Sequence, residues 1–357
     1  MRILLFIDSL GAGGAQRQIV GLAKLLEERG HHIVVLTYYD IPFYQPQLDA
    51  CGIACEHVKD GGNYLRRVWK VRKYIRSYSP DWVVAYLDSP SVIAAFWRGL
   101  GMNYRLMVSE RNTTQRLTWR ERIKFFLYRY ADVIVSNSFA QKLFVDSHYP
   151  QYQQKSTVIP NFVDLQQFSP ADGKQRGNVI LVVATVCKSK NTLGFIEAVR
   201  EVKASGQSFM VKWFGVTEST PYIEACRERI AASHLENEFL LLHKTTDIAM
   251  EYRRADFFCL PSFHEGTPNA LCEALASGLP VICSDISDNG VYVKDDVNGF
   301  LFNPHDPSDI ADRIGKALLL PDDVYRSYSK ASRMVAEIYF STWRFVEAYQ
   351  ELLKTNL

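Results

Sequence analysis

Short apolar runs rich in Val, Ile and Leu alternate along this chain with segments of helical periodicity, and the whole series occurs twice. Such alternation predicts βαβ units, in which helices join parallel strands and cover both faces of a sheet. The chain has 357 residues, 47% of them hydrophobic, which is enough for two domains with sizeable cores. The sequence therefore predicts an α/β protein made of two doubly wound, Rossmann-like domains.

The two series fall into residues 1–170 and 171–339. A polar stretch rich in helix and strand breakers runs from Ser169 to Asn178, and we place the interdomain linker there. Residues 340–357 are predicted to form a last helix with a buried apolar stripe. The predicted strands are 3–8, 33–37, 82–86, 105–109 and 132–136 in the first series, and 179–185, 210–215, 239–242 and 257–260 in the second.

Composition limits where such a protein can reside. No run approaches the roughly 18–20 apolar residues of a membrane span, and the first ten residues lack the layout of a signal peptide. We therefore expect a cytoplasmic protein. Its seven cysteines are scattered without C-x-x-C spacing, so buried reduced thiols are expected rather than a metal site.

The formal charge of +2 gives no indication of a nucleic-acid partner, but the charge is unevenly distributed. Counted over Lys, Arg, Asp and Glu, residues 1–170 carry about +7 and the remainder about −5. Basic and aromatic residues are interleaved in segments 66–76 and 116–129. This composition is typical of helices that lie on an anionic membrane surface. The alternative is that each helix packs its apolar side on a sheet while its basic side is solvated.

Two carboxylates, Glu265 and Glu273, lie eight residues apart around a predicted turn. The strand-like run 255–262 comes before them, Gly266 and Pro268 favour a turn, and Leu271 begins a helical pattern. We expect Glu265 to end a strand and Glu273 to lie about one turn into the helix.

The start of that helix offers a second kind of group. The amides of Asn269 and Ala270 are expected to point out of the helix N-terminus, where an anion binds favourably. One carboxylate would then hold sugar hydroxyls and the other ribose hydroxyls, with a diphosphate over the helix end. The alternative is that both glutamates lie on a solvated helix face.

Segment 265–273 resembles the E-x7-E motif of the retaining glycosyltransferases of family 4. Four further segments, 1–8, 11–15, 158–170 and 298–302, match that family's pattern in order, so the resemblance covers nearly the whole chain. It implies the GT-B fold, in which two Rossmann-like domains face each other across a cleft. The first domain would bind the acceptor and the second the nucleotide sugar, and the helix at 340–357 would cross back to the first domain.

The resemblance also implies a cation at the leaving group. A departing nucleoside diphosphate gains negative charge, and a fixed positive charge stabilises it. Lys190 matches the lysine of the family's G-R-L-x-x-x-K-G pattern. Thr185 stands where that pattern has arginine, and Lys188 is a possible substitute cation.

The same resemblance implies further residues of the site. Its donor-binding residues would be Gly13, Gly14, Gly215, Lys244, Gly266, Asn269, Ala270, Leu271 and Glu273. The glycine loop Gly11–Ala15 fits a dinucleotide fingerprint poorly, because Gln16 stands where its third glycine should be. A nicotinamide dehydrogenase is therefore disfavoured, and a plain strand-to-helix turn is the alternative.

Glu110 and Arg111, just after a predicted strand, are the acceptor-side candidates. A structural salt bridge is the alternative for both, because the histidine that many family members carry near this point is absent. His264 could contact the donor or face solvent.

The reaction implied is transfer with retention of anomeric configuration, in which the leaving phosphate helps to deprotonate the acceptor. No H-E-x-x-H or suitably placed D-x-D pattern is present, so we expect no metal and no cofactor besides the nucleotide-sugar donor. The expected donor is UDP-linked, and the expected acceptor is a lipid-linked or surface-polysaccharide oligosaccharide at the inner membrane surface. A sugar-nucleotide epimerase of the same fold and a non-catalytic sugar-nucleotide sensor are the alternatives.

Overall fold

The computed structural model of the chain describes residues 1–171, 173 and 175–355. It divides into two compact units, of which unit 1 contains residues 1–160 and the segment from Trp343 onward, and unit 2 contains Asn161–Thr342. Residues 172 and 174 of the predicted linker, and residues 356 and 357 of the predicted last helix, lie outside the described residues.

Unit 1 is built on a parallel sheet with the strand order β3-β2-β1-β4-β5-β6-β7. Its strands are β1 (Arg2–Phe6), β2 (His32–Thr37), β3 (Ala54–His57), β4 (Trp82–Tyr86), β5 (Arg105–Glu110), β6 (Val133–Ser136) and β7 (Ser156–Val158). Its helices are α1 (Gly14–Glu28), α2 (Gln45–Asp49), α3 (Tyr64–Tyr78), α4 (Asp88–Gly99), α5 (Trp119–Leu127) and α6 (Phe139–His148).

Unit 2 repeats the plan with the strand order β10-β9-β8-β11-β12-β13. Its strands are β8 (Val179–Val183), β9 (Met210–Val216), β10 (Phe239–His243), β11 (Phe257–Leu260), β12 (Val281–Ser284) and β13 (Gly299–Phe302). Its helices are α7 (Thr192–Ala204), α8 (Pro221–Ala232), α9 (Ile248–Arg254), α10 (Asn269–Ala276), α11 (Asn289–Tyr292), α12 (Pro307–Leu318) and α13 (Asp322–Tyr339), and the chain ends with α14 (Thr342–Lys354).

Both sheets are covered by helices on their two faces, which confirms the predicted fold class. In β8, Ile180 and Val182 belong to one buried cluster and Leu181 to another, as a strand buried on both sides requires. In each unit the strand order reverses beside the first strand, between β1 and β4 or between β8 and β11. A reversal of this kind leaves a crevice at the carboxyl ends of the strands, where ligands of doubly wound sheets bind.

The division between the units lies at Pro160 and Asn161, before the predicted linker. Residues that follow the division already pack in unit 2, because Val163 and Phe168 belong to one of its buried clusters. The amide of Val163 also donates to the Phe340 carbonyl at 2.8 Å. The division in the structure therefore lies ten residues before the boundary predicted at 170, since a polar composition does not reveal the apolar anchors before it.

The last helix, α14, groups with unit 1. Phe345, Tyr349 and Leu353 of the predicted stripe are buried, and the Tyr349 hydroxyl lies 2.8 Å from that of Tyr86 in β4. The guanidinium of Arg105 donates to the Thr355 carbonyl at 2.6 Å. These contacts fasten the C-terminal helix to the sheet of unit 1.

No helix among the described residues combines the length and the apolar composition that crossing a membrane requires. The seven cysteines are free thiols. Burial raises the pKa of Cys259 and Cys272 well above the ordinary value of a thiol, so both remain protonated.

Candidate functional site

Two loops meet at the carboxyl edge of the unit 2 sheet, at its point of reversal. The loop after β8 carries Lys190, the loop after β11 carries Glu265, and the two strands are neighbours. The Lys190 ammonium donates to Glu265 Oε1 at 2.5 Å, and the Ser262 hydroxyl donates to the same oxygen at 2.7 Å. A backbone hydrogen bond of 2.9 Å from Phe263 to the Ser189 carbonyl joins the loops. The structure thus brings together Lys190 and Glu265, which the sequence singled out as site candidates in separate motifs.

The pair is partly open to solvent, since the Lys190 side chain is 24% exposed and the Glu265 side chain 10%. Lys190 ends a 3₁₀ turn, and the buried Asn191 follows it in a left-handed conformation with φ 55°. The Asn191 amide donates to the Pro304 carbonyl at 2.7 Å, which fixes the turn. Lys190 is therefore positioned by a neighbour that the sequence did not single out.

Glu265 does not end a strand, so that prediction is wrong. β11 ends at Leu260, and Pro261 follows it. Because proline has no backbone N–H, it cannot continue the hydrogen-bond ladder. Glu265 instead lies in the loop that leads to α10.

The amino end of α10 belongs to the same loop. Pro268 precedes the helix in an extended conformation, and its carbonyl accepts from the amides of Leu271 at 3.1 Å and Cys272 at 3.2 Å. The amide of Ala270 has no acceptor among the described residues. An amide left in this way at a helix start is suited to an anion. Asn269 and Ala270 therefore begin the helix as predicted.

Leu271 requires a correction. Its side chain is fully buried and its amide is already bonded to Pro268. Leu271 is therefore a core residue, because an apolar position in a helical pattern predicts burial against the sheet and not contact with a polar donor.

Glu273 lies in α10, about one turn from the start, as predicted, but it is only 3% exposed. The loop before the helix is fixed by Asn161, whose side-chain amide donates to the Thr267 carbonyl at 2.8 Å. An enclosed carboxylate requires hydrogen-bond donors from the protein or from a ligand. Its contact with a ribose stays a prediction.

The remaining donor-side candidates differ in burial. Thr185, Lys188, Lys244 and His264 are exposed, and Gly266 is partly exposed in the turn. Lys188 has no ion pair among the residues that the structure describes. It lies in the same 3₁₀ turn as Lys190, so its role as a second cation stays a prediction.

Gly215 has a packing reason to be glycine. A Cβ at this position would lie 1.8 Å from the Ala184 carbonyl oxygen of the neighbouring segment. The Trp213 indole also donates to that oxygen, at 2.7 Å. The close approach of β9 and β8 is therefore sufficient to explain this glycine without a ligand.

In unit 1, the glycine loop connects β1 to α1. Gly13 precedes the helix and Gly14 begins it. The Gln16 side-chain amide donates to Asp8 Oδ1 at 3.0 Å, so it crosses the loop, and a Cβ on Gly13 would lie 2.1 Å from Gln16 Oε1. A dinucleotide fingerprint has glycine at position 16. The structure therefore gives a local reason for the departure from that fingerprint.

The Glu110 side chain is almost fully enclosed by protein. It is 3% exposed at the end of β5 and accepts hydrogen bonds from Lys124 at 2.8 Å, Gln141 at 3.1 Å and the Tyr128 hydroxyl. Lys124 also donates to Asp88 at 2.9 Å. The salt bridge that was the alternative for Glu110 is thus present.

The charge state of this network follows from its surroundings. Burial alone would lower the pKa of Lys124, but the carboxylates of Glu110 and Asp88 raise it. Burial, and next the Glu110 carboxylate, raise the pKa of Tyr128 well above its usual value. Lys124 stays charged and Tyr128 stays a donor at neutral pH.

A pocket of about 300 Å³ lies beside this network. Its lining includes Asp88, Thr113, Thr114 and Arg116 in addition to Glu110 and Lys124. The Asp88 carboxylate is 63% exposed, in contrast to Glu110. Asp88 is therefore a carboxylate of this pocket that a hydroxyl-bearing ligand can reach, and no sequence motif pointed to it.

Arg111 is directed into unit 1. It is 8% exposed, donates to the Tyr86 hydroxyl and to the Tyr349 hydroxyl at 3.3 Å, and lies over the Tyr86 ring with its Cζ 4.2 Å from the centroid. Arg111 therefore joins β5 to α14, and its acceptor-side role stays a prediction. Among the described residues, no group of three His, Cys, Asp or Glu side chains could hold a metal ion.

Comparison with known families accounts for most of the chain. Residues 12–167 match the model described as Glycosyltransferase Family 4, and residues 166–335 match the one described as Glycosyl transferases group 1. The crystal structure of Anabaena HepE in complex with UDP superposes with a TM-score of 0.87 over 99% of both chains, at 19% identity. That likeness confirms the GT-B fold.

Two relatives extend the match. The chain is 24% identical over 94% of both lengths to the N-acetylgalactosamine-N,N'-diacetylbacillosaminyl-diphospho-undecaprenol 4-alpha-N-acetylgalactosaminyltransferase of Campylobacter jejuni. It is 31% identical to the UDP-Gal:alpha-D-GlcNAc-diphosphoundecaprenol alpha-1,3-galactosyltransferase of Escherichia coli, over 43% of this chain and 42% of that enzyme. With the motifs of unit 2 in place, the chain belongs to the family 4, group 1 glycosyltransferases.

Proposed function

We propose that the protein moves a sugar from a UDP-sugar to a lipid-linked oligosaccharide, with retention of configuration and without a metal ion. The observation that carries this proposal is the contact of Lys190 with Glu265 beside the open amino end of α10. Together these groups supply a cation, a carboxylate and backbone amides at one edge of a parallel sheet.

Each group has a task in that reaction. The bond from the anomeric carbon to the diphosphate breaks, and the acceptor oxygen bonds to that carbon on the same face. The acceptor proton passes to a phosphate oxygen of the leaving group, so no protein nucleophile is needed. Lys190 and the α10 amides would stabilise the charge that develops on the diphosphate, and Glu265 would hold Lys190 in place and accept from sugar hydroxyls.

The donor and the acceptor are inferred from relatives. The Escherichia coli relative is named for UDP-Gal, and Anabaena HepE was crystallised with UDP. Both curated relatives are named for substrates linked to undecaprenol through a diphosphate. These names support a UDP-sugar and a polyprenyl-diphosphate-linked glycan as the substrate classes.

A lipid-linked acceptor requires the enzyme to work at a membrane surface. The basic, aromatic segments 66–76 and 116–129 support peripheral association with an anionic membrane face. The apolar sides of these segments pack inside unit 1, as expected for helices that lie on a sheet with a solvated basic side. The Trp69 and Trp119 side chains nevertheless remain 58% and 67% exposed.

The test is release of UDP from UDP-sugars in the presence and absence of polyprenyl-diphosphate glycans, with EDTA and with GDP- and ADP-sugars for comparison. Lys190→Ala should lower kcat about a hundredfold or more while changing donor affinity much less. Lys316→Ala, an exposed lysine on α12, is the matched control.

Product analysis by NMR then decides the stereochemistry. Acceptor-dependent UDP release with an α-linked product from an α-linked donor supports the proposal. Donor binding without turnover for any acceptor, an inverted product, or strict dependence on a divalent cation would each contradict the corresponding part of it.

A further inference from the structure

A second pocket of unit 1, of about 340 Å³, lies between the carboxyl ends of α3 and α4. Its lining includes Arg72, Arg76, Leu100 and Asn103, and it contains no Asp or Glu. Because α3 leads into β4 and α4 into β5, this pocket lies at the amino edge of the sheet. It is therefore separate from the Glu110 pocket, which lies at the carboxyl edge.

The two arginines of this pocket have no carboxylate partner among the described residues. Neither Arg72 nor Arg76 forms an ion pair or a hydrogen bond through its side chain within the described part of the chain, and the Arg72 Nε is buried without an acceptor. Arg72 is held in place by stacking, with its Cζ 4.9 Å from the Trp97 ring centroid and 5.3 Å from that of Trp69. A buried guanidinium N–H without a protein acceptor is a donor that an anionic ligand can use.

The helix ends do not cancel this positive charge. Each carboxyl end contributes a partial negative charge of about half a unit, and the two guanidinium groups contribute two full positive charges. The pocket therefore favours an anion, and its planar donors match phosphate oxygens.

The rim of the pocket is apolar and exposed. Trp69, Phe96 and Leu100 are 58%, 39% and 62% exposed. Trp69 contacts Trp97, with ring centroids 5.2 Å apart, and Phe96 contacts the same indole at 5.0 Å. The exposed side chains of α3 and α4 therefore form one continuous surface.

This surface extends toward α5. Gly99 lies against the Tyr130 ring, where a Cβ would approach to 2.6 Å, so the lack of a side chain lets the 3₁₀ turn after α5 pack on α4. Arg129 lies over the Phe126 ring at 3.7 Å, and Phe126 is 52% exposed. Cations paired with exposed aromatic rings are typical of surfaces that enter the boundary between headgroups and acyl chains.

We propose that the pocket of Arg72 and Arg76 binds the phosphate of an anionic phospholipid headgroup, while Trp69, Phe96 and Leu100 enter the acyl boundary. The inference rests on the proposed function, because a lipid-linked acceptor brings the enzyme to such a surface. A phosphate on a soluble metabolite offers the arginines the same chemistry, but it leaves the three apolar side chains in water. The lipid is therefore the ligand that uses both halves of the site.

The test is flotation of the full chain with phosphatidylcholine vesicles, with and without phosphatidylglycerol. The double variant Arg72→Gln with Arg76→Gln should lower the partition coefficient onto anionic vesicles about thirtyfold. This corresponds to a loss of about 2 kcal/mol in binding free energy for the two arginines together. Arg227→Gln with Arg326→Gln is the matched control, because both arginines are exposed in unit 2 and the charge change is the same.

A charge-conserving variant separates a built site from general attraction. Arg72→Lys with Arg76→Lys keeps both charges but loses the planar fork, so it should bind anionic vesicles clearly less well than the unaltered chain. Leu100→Glu, which leaves both arginines in place, should also weaken binding. Thermal midpoints of all variants show whether a loss reflects unfolding.

Equal binding by the lysine variant and the unaltered chain would overturn the headgroup site. The headgroup site would also be overturned if inorganic phosphate or glycerol phosphate stabilised the protein against unfolding while vesicles with and without phosphatidylglycerol bound it equally. UDP release on a detergent-dispersed acceptor is measured in parallel. If vesicle binding depends on the arginines but no sugar is transferred, the proposed function is refuted and the lipid site is retained. If sugar is transferred but vesicle binding does not depend on the arginines, the lipid site is refuted and the proposed function is retained.

Discussion

Lys124 Nζ lies 2.8 Å from Glu110 Oε2, and the two side chains are only 6% and 2% exposed. Replacing Lys124 by Met would leave the Glu110 carboxylate buried without its charge partner. We expect this change to lower the free energy of unfolding by about 3 kcal/mol, because an uncompensated buried charge is costly. Urea unfolding measures the loss. The double variant Glu110→Gln with Lys124→Met should lose less than the sum of the single changes, and additive losses would contradict the coupling.

The same pair predicts a pH dependence. Lys124 has a raised pKa in the folded chain, so its contribution to stability is complete below the ordinary pKa of a lysine, about 10.4. It is lost as the pH rises through the folded pKa, because the unfolded chain has then already released the proton. The stability difference between the unaltered chain and Lys124→Met should therefore shrink as the pH rises above about 10.4. A difference that grew over this range would refute the assignment.

Glu265→Gln should lower kcat/KM about a hundredfold, because it removes the charge that positions Lys190 and replaces one of the two acceptor oxygens by an amide donor. The fold should be unaffected, since Glu265 lies in a loop and glutamine has nearly the same size and shape. Steady-state UDP release measures the effect. Glu228→Gln, exposed on α8, is the control and should leave the rate unchanged.

Gly215→Ala should destabilise unit 2 by about 3 kcal/mol, because a Cβ would force the Ala184 carbonyl away from β9. Gly315 in α12 provides the contrast, since the nearest atom to its Cβ would be 3.9 Å away. Gly315→Ala should stabilise the chain by about 0.5–1 kcal/mol through helix propensity. Thermal unfolding of both variants checks the opposite signs.

Tyr349→Phe removes the hydroxyl that contacts Tyr86 and Arg111. Two buried polar groups then lose a partner, so the expected loss of stability is about 1–3 kcal/mol. Trp343 lies on the same helix and is 63% exposed, so Trp343→Phe should change stability by about 0.5 kcal/mol at most. If both variants were equally stable, the Tyr349 contact would not be what fastens α14.

The sequence predicted less about side chains whose contacts lie far away along the chain. It singled out Glu110 and Arg111 as charged groups after a strand, but their side chains are engaged inside unit 1 by Lys124 and Tyr349. Charged groups at a strand end can face a ligand or the interior, and only the packing of α5 and α14 decides between the two. Asp88, an exposed carboxylate of the pocket beside Glu110, was not predicted because it lies beside no recognisable motif.

What the sequence determined by itself was the fold class, most of the strands and the choice of Lys190 and Glu265 as site candidates, because hydrophobic periodicity and motif spacing are local properties of a chain. Only the tertiary structure decided that these two residues, 75 positions apart, form a contact. The reason is strand order, since β8 and β11 are neighbours at the reversal of the sheet and their carboxyl ends bring the loops together. The same kind of long-range packing placed the unit boundary at Pro160 and turned Glu110 inward.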